Sequence, residues 1–73
     1  MGTIYVRNYR KSDIYVRITK NTNKDGCEDF CVVEAGKTKH WGRDGWEVAF
    51  IEKTDREPPE VLIVKAGETY DIN

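Results

Sequence analysis

The chain has 73 residues, 38% of them apolar and 34% charged, and a net charge of −1 at neutral pH. That composition excludes a disordered chain and fits one small domain over residues 1–73, near the lower size at which a hydrophobic core folds unaided. No apolar run nears the roughly 20 residues that span a bilayer, the start "MGTIYVRNYR" holds no signal core, and the charge is too balanced for a nucleic-acid binder.

The letters IYVR occur at 4–7 and again at 14–17, each time with apolar and polar residues alternating. A period of two predicts half-buried strands, with Ile4, Val6, Ile14, Val16 and Ile18 on the inner side. The polar stretch "NYRKSD" between them reads as the turn of a hairpin. Symmetry about residue 11 then predicts Ile4 opposite Ile18 and Val6 opposite Val16. On the outer face Tyr5 would meet Arg17, and Arg7 would meet Tyr15, as cation–ring neighbours. Arg7, Arg10, Lys11, Arg17 and Lys20 stand against Asp13 alone in the first twenty residues. The outer face Tyr5, Arg7, Tyr15, Arg17 is therefore a candidate surface for an anionic partner or membrane.

"NTNKDG" at 21–26 reads as a loop. Asn21, Asn23 and Asp25 occupy calcium-loop positions one, three and five, but Val32 stands where the bidentate glutamate belongs, which leaves a weak calcium candidate. Cys27 and Cys31 are too few for a zinc site and one residue too far apart for a redox C-x-x-C motif. A local disulfide and two free thiols both fit, and a bond closing so short a loop adds little by chain entropy.

Strands are predicted at 29–34, 38–43 and 45–53, the last with Trp46, Val48 and Phe50 on one face. Pro58 and Pro59 interrupt strand structure, and a strand, a corner and a final strand close the chain. "EAGKT" and "KAGET" repeat at an offset of 31 residues and predict two equivalent corners, with Gly36 and Gly67 at positive φ. Seven short strands without a helical stretch predict an all-β fold, a small antiparallel β-sandwich.

One histidine and one serine with no phosphate loop predict a protein that is not an enzyme and needs no cofactor. Trp41 and Trp46 flank "GRDG", read as a tight hairpin tip. One reading makes Trp46 a core residue with Trp41 as its lid. The other makes the tip a carbohydrate site in which a ring stacks on a sugar while His40, Arg43 and Asp44 bond its hydroxyls; Arg43 could instead tie the tip down.

The segment "EAGKTKHWGRDGWEVAF" resembles small single-domain proteins of fungi and slime moulds that share a corner, then W-x-R-x-G-W-E and an apolar strand. The matching residues are Gly36, Trp41, Arg43, Gly45, Trp46, Glu47 and Phe50, with supporting strands at 14–18 and 60–65. Slime-mould haemagglutinin-type lectins of β-sandwich fold are similar. This chain has Phe30-Cys31 where the related pattern has Trp-Tyr, so no family disulfide carries over. The resemblance implies a β-sandwich lectin binding glycans or glycoproteins, with avidity from a homo-oligomer. The alternative expectation is a protein- or anionic-membrane-interaction module using the basic Tyr/Arg face, in the cytoplasm or secreted by a route not visible in the chain.

Overall fold

The computed structural model describes residues 2–20, 29–53 and 58–73. Seven strands run in chain order: β1 Gly2–Asn8, β2 Ile14–Ile18, β3 Cys31–Val33, β4 Thr38–Arg43, β5 Trp46–Lys53, β6 Glu60–Lys65 and β7 Thr69–Ile72. They form a three-stranded sheet ordered β4-β1-β7 and a four-stranded sheet ordered β3-β2-β5-β6. The all-β, sandwich-like fold expected from the alternation is what forms. One pairing departs from it, because β1 and β7 lie parallel.

The core fills the space between the sheets. Ile4 and Val6 from β1, Ile14, Val16 and Ile18 from β2, Ile51 from β5 and Val64 from β6 are all fully buried, with Trp41 of β4 among them. Each such aliphatic side chain contributes about 1.5–3 kcal/mol by leaving water.

The expected hairpin does not form. β1 pairs with β4 and β7, whereas β2 pairs with β3 and β5, so the two IYVR units lie in different sheets. Both arrangements bury the same residues, which is why the alternation could not separate them. Asn8, fully buried at the end of β1, sets the choice. Its Nδ2 donates to the carbonyls of Ser12 (2.9 Å) and Val33 (3.0 Å), and its Oδ1 accepts from the Arg10 amide (2.9 Å). These bonds shape residues 9–13 into an arch that carries the chain across to the opposite sheet.

Both Ala-Gly corners form as expected. Gly36 has φ 74° and Gly67 φ 92°, and each corner closes with a bond to the residue three back: Lys37 N to Glu34 O (2.9 Å) and Glu68 N to Lys65 O (3.2 Å). A positive φ at the third residue is what a type II turn demands. Each corner moves the chain from the four-stranded sheet to the three-stranded one.

On β5, Trp46, Val48 and Phe50 share a face as expected, and that face is the outer one; Glu47, Ala49 and Ile51 point inward and are buried. Apolar residues occupy both faces of this strand, so its period-two pattern is ambiguous. A polar residue breaks the tie: the Thr19 hydroxyl donates to buried Glu47 Oε1 and accepts from the Val48 amide (3.0 Å).

Candidate interaction surface

The expected carbohydrate site does not assemble. Trp41 is fully buried, packed opposite Ile4, and its Nε1 has no acceptor among the described residues. It is a core residue, so no sugar reaches its ring. Arg43 is also fully buried. Its Nε donates to Thr19 O (2.7 Å), its Nη2 to Ile18 O (2.9 Å) and its Nη1 to Gly42 O (2.7 Å). The planar guanidinium thus ties the end of β4 to the end of β2 across the sandwich, the tying role open to it in the sequence. Residues 44–45 are no hairpin tip either, since β4 and β5 belong to different sheets. His40 faces outward on the three-stranded sheet beside Tyr5, ring centroids 6.1 Å apart. Asp44 is exposed at the corner, and Trp46 faces outward on the four-stranded sheet.

The Tyr/Arg surface is divided in the same way. Tyr5 and Arg7 lie on the outer face of one sheet, Tyr15 and Arg17 on that of the other. The cations find different rings from those expected: Arg7 lies 5.2 Å from the Tyr9 ring centre and Arg17 5.9 Å from that of Phe50. Arg7 also bonds Asp71 (Nε–Oδ1 3.0 Å), and that bond and the nearby negative charge hold its pKa above the usual arginine value. Cys31 is disulfide-bonded, and Cys27 is the other cysteine of the sequence; Cys27 and the calcium candidates Asn21, Asn23 and Asp25 lie outside the described residues. Among the described residues no cluster of three His, Cys, Asp or Glu side chains could hold a metal ion, and no helix is long and apolar enough to cross a membrane.

The two outer faces differ in chemistry. On the three-stranded sheet the outward positions are Thr3, Tyr5 and Arg7, Thr38 and His40, and Thr69 and Asp71, mostly polar. On the four-stranded sheet the register sets Tyr15 between Val32 and the exposed Glu52, Phe50 between Arg17 and Val61, Val48 beside Ile63, and Trp46 beside Lys65. Trp46, Val61 and Ile63 are 61%, 60% and 63% exposed, although Ile and Val are among the side chains most often fully buried and Trp is highly buried on average. The Lys65 ammonium lies 5.5 Å from the Trp46 ring centre, which leaves one cation at the edge of the apolar field and Arg17 within it.

Val32, Phe50, Val61 and Ile63 were not candidates on sequence grounds. One signal was available in "VLIVK": four consecutive apolar residues in a strand have apolar groups on both faces, so the outer pair needs a cover of its own.

Comparison with protein families, curated proteins and solved structures finds no match. The likeness to slime-mould lectins therefore stays an expectation resting on residues 36–50.

Proposed function

We propose that this protein is a non-enzymatic interaction module that binds a protein partner with the outer face of its four-stranded sheet. The observation that carries the reading is the asymmetry of the two outer faces: one mostly polar, the other a field of Tyr15, Val32, Val48, Trp46, Phe50, Val61 and Ile63 with Arg17, Glu52 and Lys65 among and around them. A large ring beside aliphatic side chains, with a cation at its margin, is the composition of an interface centre and its rim. This keeps the interaction-module expectation but moves its surface, since the basic first hairpin does not exist.

A partner recovered by the wild type and lost with Trp46→Ser at unchanged melting temperature supports the proposal. Equal recovery by both proteins sinks it. Binding mainly to anionic vesicles, abolished by raising salt, would instead assign the face to membranes.

The carbohydrate reading retains one favourable observation, the exposed Trp46 ring two residues after exposed Asp44. A glycan array with wild type and Trp46→Ala is its test, and binding to a defined sugar class that the substitution removes would place it ahead of the protein-partner reading.

A further inference from the structure

We infer that two copies of this chain associate edge to edge through β6, antiparallel, in one register. β6 is an outer strand of its sheet, paired with β5 on one side. The bond from Ala66 N to Gly45 O (3.1 Å) fixes the alternation along the strand: residues 60, 62 and 64 direct their backbone groups at β5, and 61, 63 and 65 direct theirs outward. Lys65 is already satisfied, its N–H by the Tyr70 hydroxyl (2.8 Å) and its carbonyl by the Glu68 amide (3.2 Å). At the other end Pro59 has no N–H to give. Along the outward side of β6 what remains open is the N–H and C=O of Val61 and of Ile63.

These four groups are self-complementary. Setting Val61 opposite Ile63 of a second copy, and Ile63 opposite its Val61, satisfies all of them with four hydrogen bonds. A shift of two residues in one direction presents the occupied groups of Lys65, and in the other it meets Pro59. The two-fold axis then passes between the Leu62 residues, normal to the sheet, so the contact is isologous and closes at two copies. Both outer faces point the same way, and the row Phe50–Val61 continues into Ile63–Val48 of the second copy. No charge lies between Glu60 and Lys65 to oppose the approach, although charged residues are the usual protection of an exposed edge.

A single strand edge is smaller than a standard interface of about 800 Å² per partner, so association falls roughly between micromolar and millimolar. The test is sedimentation equilibrium from about 10 μM to about 1 mM on the oxidised full chain, across the affinity range expected for a contact of that size. The same measurement is made on chemically synthesised chain with N-methyl-isoleucine at 63, which blocks that donor and keeps the side chain. A monomer–dimer equilibrium in the wild type, weakened at least tenfold by N-methylation, supports the inference. So do isotope-filtered contacts between the methyls of Val61 and Ile63 on different copies. A monomer throughout the range overturns it. A dimer that survives N-methylation but is lost with Trp46→Ser also overturns it, because the sheet faces rather than the edges would then be in contact. The inference does not depend on the partner-binding role, since Trp46→Ser is expected to leave edge pairing intact.

Discussion

Asn8 and Arg43 are the two polar side chains on which the chain path depends, and both are fully buried. Besides its side-chain bonds, Asn8 donates from its amide to Lys37 O (2.9 Å) and accepts at its carbonyl from Gly36 N (3.0 Å), so it joins the 9–13 arch to the first Ala-Gly corner. Asn8→Ala removes two donated bonds, to the carbonyls of Ser12 and Val33, and the acceptor of the Arg10 amide, and is expected to cost roughly 2–3 kcal/mol. Asn8→Asp tests the cause, because a carboxylate of the same shape accepts from Arg10 N but cannot donate to Ser12 O or Val33 O. Urea unfolding at neutral pH should show it no more stable than Asn8→Ala; wild-type stability would dismiss the donor role. Arg43→Met keeps the aliphatic stem and strips the carbonyls of Ile18 and Thr19 of their donor. A loss of roughly 3 kcal/mol is expected, lowering the melting temperature by about 12–24 °C in a domain of this size.

At the scale of elements, the strands and corners were legible in the sequence, and their partners were not. Alternation identifies the residues that share a face, so all seven strands and the inward set of β1 and β2 could be read. It is blind to whether two such strands lie side by side or face each other across a core. The signal that sends IYVR and IYVR to different sheets is Asn8, whose partners are known only after folding. For β5 the shared face of Trp46, Val48 and Phe50 was legible but not which way it turns: apolar residues on both faces leave Glu47 as the deciding inward group, and a buried carboxylate is not expected until Thr19 is seen beside it. The candidate site was misread through the same gap, because Trp41 and Trp46 look equivalent in a hairpin and lie on opposite sides of a sheet in a sandwich. The corners, by contrast, depend on one local requirement. A Cβ at Gly36 or Gly67 meets no atom within 4 Å, so only the backbone conformation resists a side chain. Replacement by L-Ala should cost about 1–2 kcal/mol, whereas D-Ala, for which positive φ is natural, should stabilise by about 0.4–1 kcal/mol through a less flexible unfolded chain. Thermal melts of the synthetic variants check both signs.

For the whole molecule, the question is why a 73-residue chain places so much apolar surface outside its core. Apolar residues on the inner side account for folding. Ile18→Ala, at a fully buried position, is expected to cost about 2–5 kcal/mol, a large share of the stability available to a domain this small. If the outer field also served the fold, converting it to polar residues would be similarly harmful. Trp46, Val61 and Ile63 instead remain more than half in water after folding, so they gain little from it. The combined variant Trp46→Thr, Val61→Thr, Ile63→Thr is expected to melt within a few degrees of the wild type, since threonine keeps the strand propensity and these side chains fill no inner space. The same variant should lose the protein partner while still pairing at the β6 edge, whose hydrogen bonds come from the backbone. Stability that falls as far as it does for Ile18→Ala would make the field structural and remove the basis for a binding face. Unchanged stability with binding lost would mean that these side chains are exposed because their burial takes place in the complex.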